Sequence, residues 1–291
     1  MTVQFGATST AEEVTRGIDL SGRTWVITGV NSGLGYESAR VLALRGARII
    51  GLARTKEKAD DALRALSIDG VGVACELSDL SSVRAAVETV QELGALDGIM
   101  ANAGIMALPE LRQQHGYELQ FFTNHVGHFV LVTGLLDSLT DDGRVVILSS
   151  GAHAFAENGI EFDNLAGKRD YKPWRMYGIS KLANVLFARS LTARFSGTMR
   201  TANSLHPGVI ETNLGRHVPD REGMYERLRP RMKSIPQGAA TQCYVATRPE
   251  LAGVSGRYFS DCAEADTIAA GTDDAMAEQL WTVTEEIVAA L

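Results

Sequence analysis

The chain has 291 residues, 45% hydrophobic and 22% charged, with a formal net charge of −7; this is the balance of an ordinary globular protein long enough to bury a sizeable core. Its pI near 5.4 argues against a nucleic-acid partner, which needs a basic surface, and no unbroken apolar run approaches the ~20 residues of a membrane span. The opening MTVQFGATSTAEEVTRGIDLSG lacks the basic-then-apolar pattern of a secretion signal, and Cys75, Cys243 and Cys262 are far apart and odd in number, which reads as reduced thiols in a cytoplasmic protein with no metal pair.

Residues 1–20 read as an N-terminal extension. Beyond them, short apolar runs alternate with longer amphipathic ones. TWVITG (Thr24–Gly29) predicts a strand, and LGYESARVLALRG (Leu34–Gly46) a helix ended by glycine. ARIIGLA, GVGVACEL, LDGIMANAG, GRVVILSS and MRTANSLHPG supply five more strands. Helices are predicted at EKADDALRAL, at SDLSSVRAAVETVQEL with Ser78 or Asp79 as its cap, near Gln114–Leu136, and at RMYGISKLANVLFARSL (Arg175–Leu191). The strands are continuously apolar, as in a parallel sheet covered on both faces. Strand–helix alternation of this kind predicts an α/β fold, a Rossmann-type doubly wound parallel sheet forming a single domain over 21–291. The segment at about 211–236 breaks the alternation with many Arg and Pro residues and reads as a substrate lid.

TGVNSGLG (Thr28–Gly35) falls between the first strand and the first helix. Gly29, Gly33 and Gly35 permit a tight turn and close approach of backbone to ligand. The helix behind them presents free N–H groups to a pyrophosphate. Asn31, Ser32 and Leu34 are assigned to the cofactor with the glycines. At the end of the second strand an acid would select NAD and an arginine NADP. The sequence there is GLART, with Ala53 followed by Arg54, so NADP(H) is expected over NAD(H). Glu76, with Leu77 beside it, is placed to accept from the adenine amine.

These residues resemble the short-chain dehydrogenase/reductase family over nearly the whole chain after Leu20. TGxxxGxG stands at Thr28–Gly35, and the family's NNAG resembles ANAG with Asn102, Ala103 and Gly104. Its helix asparagine resembles Asn124, its serine follows the fifth strand in VVILSSGAH, and its YxxxK resembles Tyr177–Lys181. Its PG turn resembles Pro207, Gly208 and Val209, with Thr212 placed for the nicotinamide amide. NHVGHF, SSGAH, SKLANVLF and HPGVIET look most like the retinol-dehydrogenase-like and WW-domain-oxidoreductase-like branch, and in particular its soluble relatives. The resemblance implies an NADP(H)-dependent oxidoreductase interconverting a carbonyl and an alcohol, with Asn124, Ser150, Tyr177 and Lys181 catalytic.

Hydride transfer to a carbonyl builds charge on oxygen, which must receive a proton. A free tyrosine has a pKa near 10, and an ammonium four residues along a helix is expected to lower it toward the working pH. The family's lysine also binds the nicotinamide ribose. Of Ser149 and Ser150, strand alternation lets one face the pocket, and the resemblance selects Ser150. The resemblance also implies that the Asn124 side chain holds a water that relays protons to Lys181. His125 and His128 read as core or hydrogen-bonding residues, His153 as a neighbour of substrate and His206 as structural.

Ser150–Glu157, Ile105–Leu108 and Thr212–Pro236 are expected to build the substrate pocket. The stretch between Ser150 and Tyr177 is longer than in compact family members, and AENGIEFDNLAGKRDYKPW is expected to cover the outer face of the Tyr177 helix. That face is often used for tetramer assembly in the family, so a monomer or homodimer is expected. The partner is a small carbonyl or alcohol, with no nucleic acid, membrane or metal. Two rival readings are an NADPH-binding regulator without turnover and a C=C reductase resembling protochlorophyllide reductase. The latter lineage uses a cysteine near its substrate, and the sequence places none near the pocket motifs.

Overall fold

The six apolar runs become neighbouring strands in the computed structural model, which describes residues 4–291. They are β1 (Thr24–Thr28), β2 (Arg48–Ala53), β3 (Gly70–Ala74), β4 (Leu96–Ala101), β5 (Leu139–Leu148) and β6 (Thr201–His206). Two short strands unforeseen in the sequence, β7 (Tyr258–Ser260) and β8 (Ala263–Glu264), extend the edge. The sheet order is β8-β7-β6-β5-β4-β1-β2-β3. All neighbours are parallel except β7 and β8. Every residue of β1 is buried, as a strand with helices on both faces requires.

One face carries α1 (Gly33–Leu44), α2 (Lys56–Ala65) and α7 (Ala240–Thr247) over Ile27, Ile49 and Leu205. The other carries α3 (Leu80–Gln91), α4 (residues 119–135) and α5 (Pro173–Arg194). Asp79 caps α3 by accepting from Ser81 and Ser82 N–H. The order reverses between β1 and β4, and open α/β sheets bind ligands beyond the carboxyl ends of strands at such a point.

Two expectations are corrected. The helix near Gln114 begins only at Leu119, because His115 and Gly116 both take positive φ (51° and 84°) and fold Gln113–Gln114 back on Tyr117–Glu118 as a small antiparallel pair. Most of the outer face of α5 is covered by the C-terminal helix α8 (Asp274–Ala289), and residues 156–174 reach only its first turns, where Glu161 pairs with Arg175. Trp281 of α8 meets Phe129 and Phe187 at 4.8 and 6.0 Å between ring centroids, and the Arg194 guanidinium lies 3.6 Å over its ring. Burial of Leu280 and Ile287 contributes about 1.5–3 kcal/mol each to this docking. Residues 156–174 instead brace the pocket wall, where the Tyr171 hydroxyl donates to Leu108 O at 2.7 Å. Between β6 and α7 the lid folds into a 3₁₀ turn (Asn213–His217) and helix α6 (Arg221–Leu228).

Candidate active site

The floor of the site is built around Thr28, at the end of β1. Its Oγ1 accepts from Asn102 N–H and Ala103 N–H, both at 2.9 Å, and the Asn102 amide donates to Thr28 O at 2.8 Å. His128 joins this cluster to α4. Its Nδ1 lies 3.0 Å from the Asn124 carbonyl, which only accepts, so Nδ1 carries the proton. Nε2 then accepts from the Thr28 hydroxyl at 3.0 Å. Burial pushes the His128 pKa down to about 4, which keeps the ring neutral and this tautomer fixed.

Above the floor runs the glycine turn. Gly29 and Gly33 take φ of +71° and +57°, and a Cβ at Gly35 would overlap the Gly29 carbonyl and the Asn102 amide. Ser32 makes no side-chain cap bond, so the first N–H groups of α1 have no side-chain acceptor. The turn opens on a cavity of about 910 Å³. These features fit a dinucleotide, whose pyrophosphate takes uncapped helix N–H groups and needs glycines for close approach.

Gly29, Asn31, Ser32, Gly33, Leu34, Arg54, Glu76, Leu77, Asn102, Ala103 and Gly104 line this one cavity with Ser150, Tyr177, Lys181, Pro207, Gly208, Val209 and Thr212. Gly35 and Asn124 stand behind the lining. Glu76 Oε1 accepts from Ser78 N–H and Oγ at 3.2 and 2.9 Å, and Thr212 Oγ1 accepts from Leu214 N–H at 3.3 Å.

Tyr177 and Lys181 are both nearly buried on α5. Lys181 Nζ donates to Leu148 O at 3.0 Å and lies 5.7 Å from the Tyr177 ring centroid. The expected acidification of the phenol is not found. Burial pushes the Tyr177 pKa up to about 12, opposed only by the Ser150 hydroxyl, and burial pushes Lys181 down to about 8. The ammonium is held at the β5 carbonyl, and desolvation of the phenolate is the larger effect. Ser149 and Ser150 both line the cavity, but the Ser149 hydroxyl is committed to Lys181 O at 2.7 Å, while the Ser150 hydroxyl accepts from Ala152 N–H at 3.1 Å and keeps its own proton to donate.

The loop carrying Ser150 is held by two histidines. Gly151 N–H donates to His206 Nδ1 at 3.0 Å, and His153 Nδ1 donates to Ser150 O at 2.7 Å. His206 is in the cavity lining and His153 is not, so the expected contact of His153 with substrate is replaced by a grip on the serine backbone.

The Asn124 side chain is held by three bonds within the protein. It sits in a π-helical turn (Phe122–Val126), and its amide donates to Ile105 O and Ser180 Oγ at 2.9 and 3.0 Å. Its Oδ1 accepts from Ile105 N–H at 2.9 Å. Both amide protons are committed, so the side chain fixes the loop after Gly104, with one lone pair of Oδ1 left over.

Around Tyr177 the walls are apolar. Met106 and Ala107 pack on it with Ala152, Leu214 and Val218. Trp174 sets its ring edge-on to Tyr177 and to the exposed Phe155, with centroids 6.2 and 6.3 Å apart. Arg112, Arg216 and Arg231 line the mouth with Arg54. No sequence signal singled out Arg112 or Arg216. Cys75 also lines the cavity, beside Glu76, contrary to the expectation that no cysteine would; burial raises its pKa to about 12, so it is a thiol there. Among the described residues no His, Cys, Asp or Glu cluster suits a metal, and no helix is long and apolar enough to cross a membrane.

The family profile described as short chain dehydrogenase matches residues 23–223. The chain is 39% identical to "Short-chain dehydrogenase TIC 32 B, chloroplastic" of Brassica napus, over 99% of this chain and 95% of that protein. It is 37% identical to human "Retinol dehydrogenase 14", over 94% of this chain and 88% of that protein. Among solved structures it is similar to a protein from Mycobacterium paratuberculosis, with a TM-score of 0.77 and 33% identity, covering 94% of this chain and 96% of the other.

Proposed function

The chain belongs to the short-chain dehydrogenase family of oxidoreductases, and we propose that it interconverts an apolar ketone or aldehyde and its alcohol with NADP(H). The observation that carries this reading is the convergence of Ser150, Tyr177 and Lys181 at one end of the cavity whose other end is the glycine turn. A bound nicotinamide supplies or accepts the hydride. Tyr177 is the general acid in reduction and the general base in oxidation, giving or taking the proton at its hydroxyl. Ser150 donates to the reacting oxygen. Lys181, cationic at neutral pH with a pKa of about 8, holds the cofactor ribose and stabilises negative charge as it forms on the phenol. Asn124 acts one step behind, by fixing the Ile105 loop.

Arg54 supports NADP(H), since a guanidinium pairs with a phosphate and Ala53 offers no repelling charge. The apolar lining of Met106, Ala152, Phe155, Trp174 and Leu214 supports a hydrocarbon-rich substrate. The cover of α8 over α5 supports a monomer over a tetramer built on that face, and we place the activity in the cytoplasm.

The test is NADPH oxidation with a series of apolar aldehydes and ketones, run beside Tyr177→Phe. The substitution is expected to lower kcat by about 10²–10⁴-fold with NADPH affinity nearly unchanged. Wild-type kcat in that variant ends the assignment of Tyr177. Binding of NADPH without turnover of any carbonyl favours a regulatory protein instead.

A further inference from the structure

The cavity lining holds four arginines, Arg54, Arg112, Arg216 and Arg231, and one acid, Glu76, whose carboxylate is already bound by Ser78. None of the four is in an ion pair among the described residues. The contrast within the lid is direct. Arg227 pairs with Asp220 and Arg229 with Glu226, both away from the cavity. Arg216 makes one bond, from Nη1 to Asn213 O at 2.9 Å, which leaves most of its donors uncommitted.

The chain path puts Arg216 over the phosphate end of the site. Thr212 lies against the glycine turn, so close that a Cβ at Gly33 would stand 3.4 Å from its methyl. The 3₁₀ turn Asn213–His217 starts there and carries Arg216 onto the roof. Arg54 comes from below, at the end of β2. The two cations sense each other: burial first, then Arg54, holds the Arg216 pKa below its usual value. Two guanidiniums facing one cavity with no acid between them are a receptor for an anion with several oxygens.

We propose that Arg216 is a ligand for a phosphate of the dinucleotide, acting opposite Arg54 and tying the lid to the cofactor. This rests on the reading of the cavity as a dinucleotide site. The 2′-phosphate and the diphosphate share the chemistry, and NADPH and NADH separate them.

The experiment measures Kd for NADPH and NADH by calorimetry in wild type, Arg216→Ala and Arg216→Lys. Arg216→Ala is expected to raise Kd for NADPH about tenfold or more, with Arg216→Lys between it and wild type. A loss confined to NADPH assigns the 2′-phosphate, and a loss shared by NADH assigns the diphosphate. The second readout is tryptic cleavage after Arg221, Arg227 and Arg231. Adenosine 2′,5′-bisphosphate or NADPH is expected to slow it in wild type and not in Arg216→Ala. Unchanged NADPH affinity in Arg216→Ala, or protection equal to wild type, overturns the proposal. Failure of wild type to bind either dinucleotide overturns the cofactor reading beneath it, a result distinct from the first.

Discussion

Beneath the cavity Thr28, Asn124 and His128 are buried, and their side-chain bonds run to named partners on other segments, except that His128 Nδ1 donates to Asn124 O within α4. Around its mouth Arg54, Arg112, Arg216 and Arg231 are exposed and unpaired among the described residues. The floor is complete without a ligand, and the roof is not. A buried polar group must be satisfied within the protein, so its geometry is fixed by the fold. An exposed arginine is satisfied by water until an anion displaces it, so it adds selectivity at little cost to folding. Changes in the floor are therefore expected to disturb stability and every ligand together. Changes in the roof should touch one ligand at a time.

The largest effect is expected from Asn124→Ala. It leaves the part-buried Ile105 N–H and C=O without their partners, at up to about 1–3 kcal/mol for each group. Urea unfolding should show that loss, and kcat/KM should fall alike with NADPH and NADH. A variant as stable as wild type would break the comparison, because the floor would then tolerate an orphaned pair.

The edge of the floor offers a pH test of similar size. Glu118 is fully buried at the start of α4, accepting from Phe121 N–H at 2.8 Å and the Gln120 amide at 3.1 Å. Burial raises its pKa from 4.5 to about 7. The folded chain therefore keeps this proton up to about pH 7, while the unfolded chain releases it near 4.5. The folded state binds the extra proton between those values, so stability falls as pH rises through that window. The drop is on the order of 3 kcal/mol. Glu118→Gln keeps an acceptor for Phe121 N–H and removes the titration. Its unfolding midpoint should lack this slope between pH 4.5 and 7, and an identical slope in both proteins would show that Glu118 ionises freely.

The same division explains what the sequence discloses. Strands β1 to β6 are legible because burial on both faces demands unbroken apolar runs, and β7 and β8 are too short to make one. The cavity lining is legible where spacing carries the chemistry: the glycines at Thr28–Gly35, Tyr177 four before Lys181, Arg54 after a strand. The bonds of Asn124 are not, since its partners lie 19 and 56 residues away. Nor is the Tyr177 pKa, because the sequence shows the neighbouring lysine but not the depth of burial that outweighs it. Arg216 is legible only as part of the expected pocket segment Thr212–Pro236, where nothing separates it from the other arginines of the lid.

The smallest effect is the sharpest test of the roof. Arg54→Ala removes a charge-assisted partner of a phosphate, a contact of about 1.5–3 kcal/mol, or roughly a tenfold to hundredfold rise in Kd for NADPH. Arg54 is exposed and makes no ion pair among the described residues, so the unfolding midpoint should stay at the wild-type value. NADH has no 2′-phosphate, so its Kd should stay within about twofold; that margin lies inside the ~0.5 kcal/mol scatter of surface substitutions. Calorimetric titration with both cofactors, beside a urea melt, measures the three quantities on one variant. Equal weakening of NADH and NADPH would move Arg54 from the ribose phosphate to the diphosphate. A lowered midpoint would show that the rim carries structural load, and floor and roof would no longer be separable.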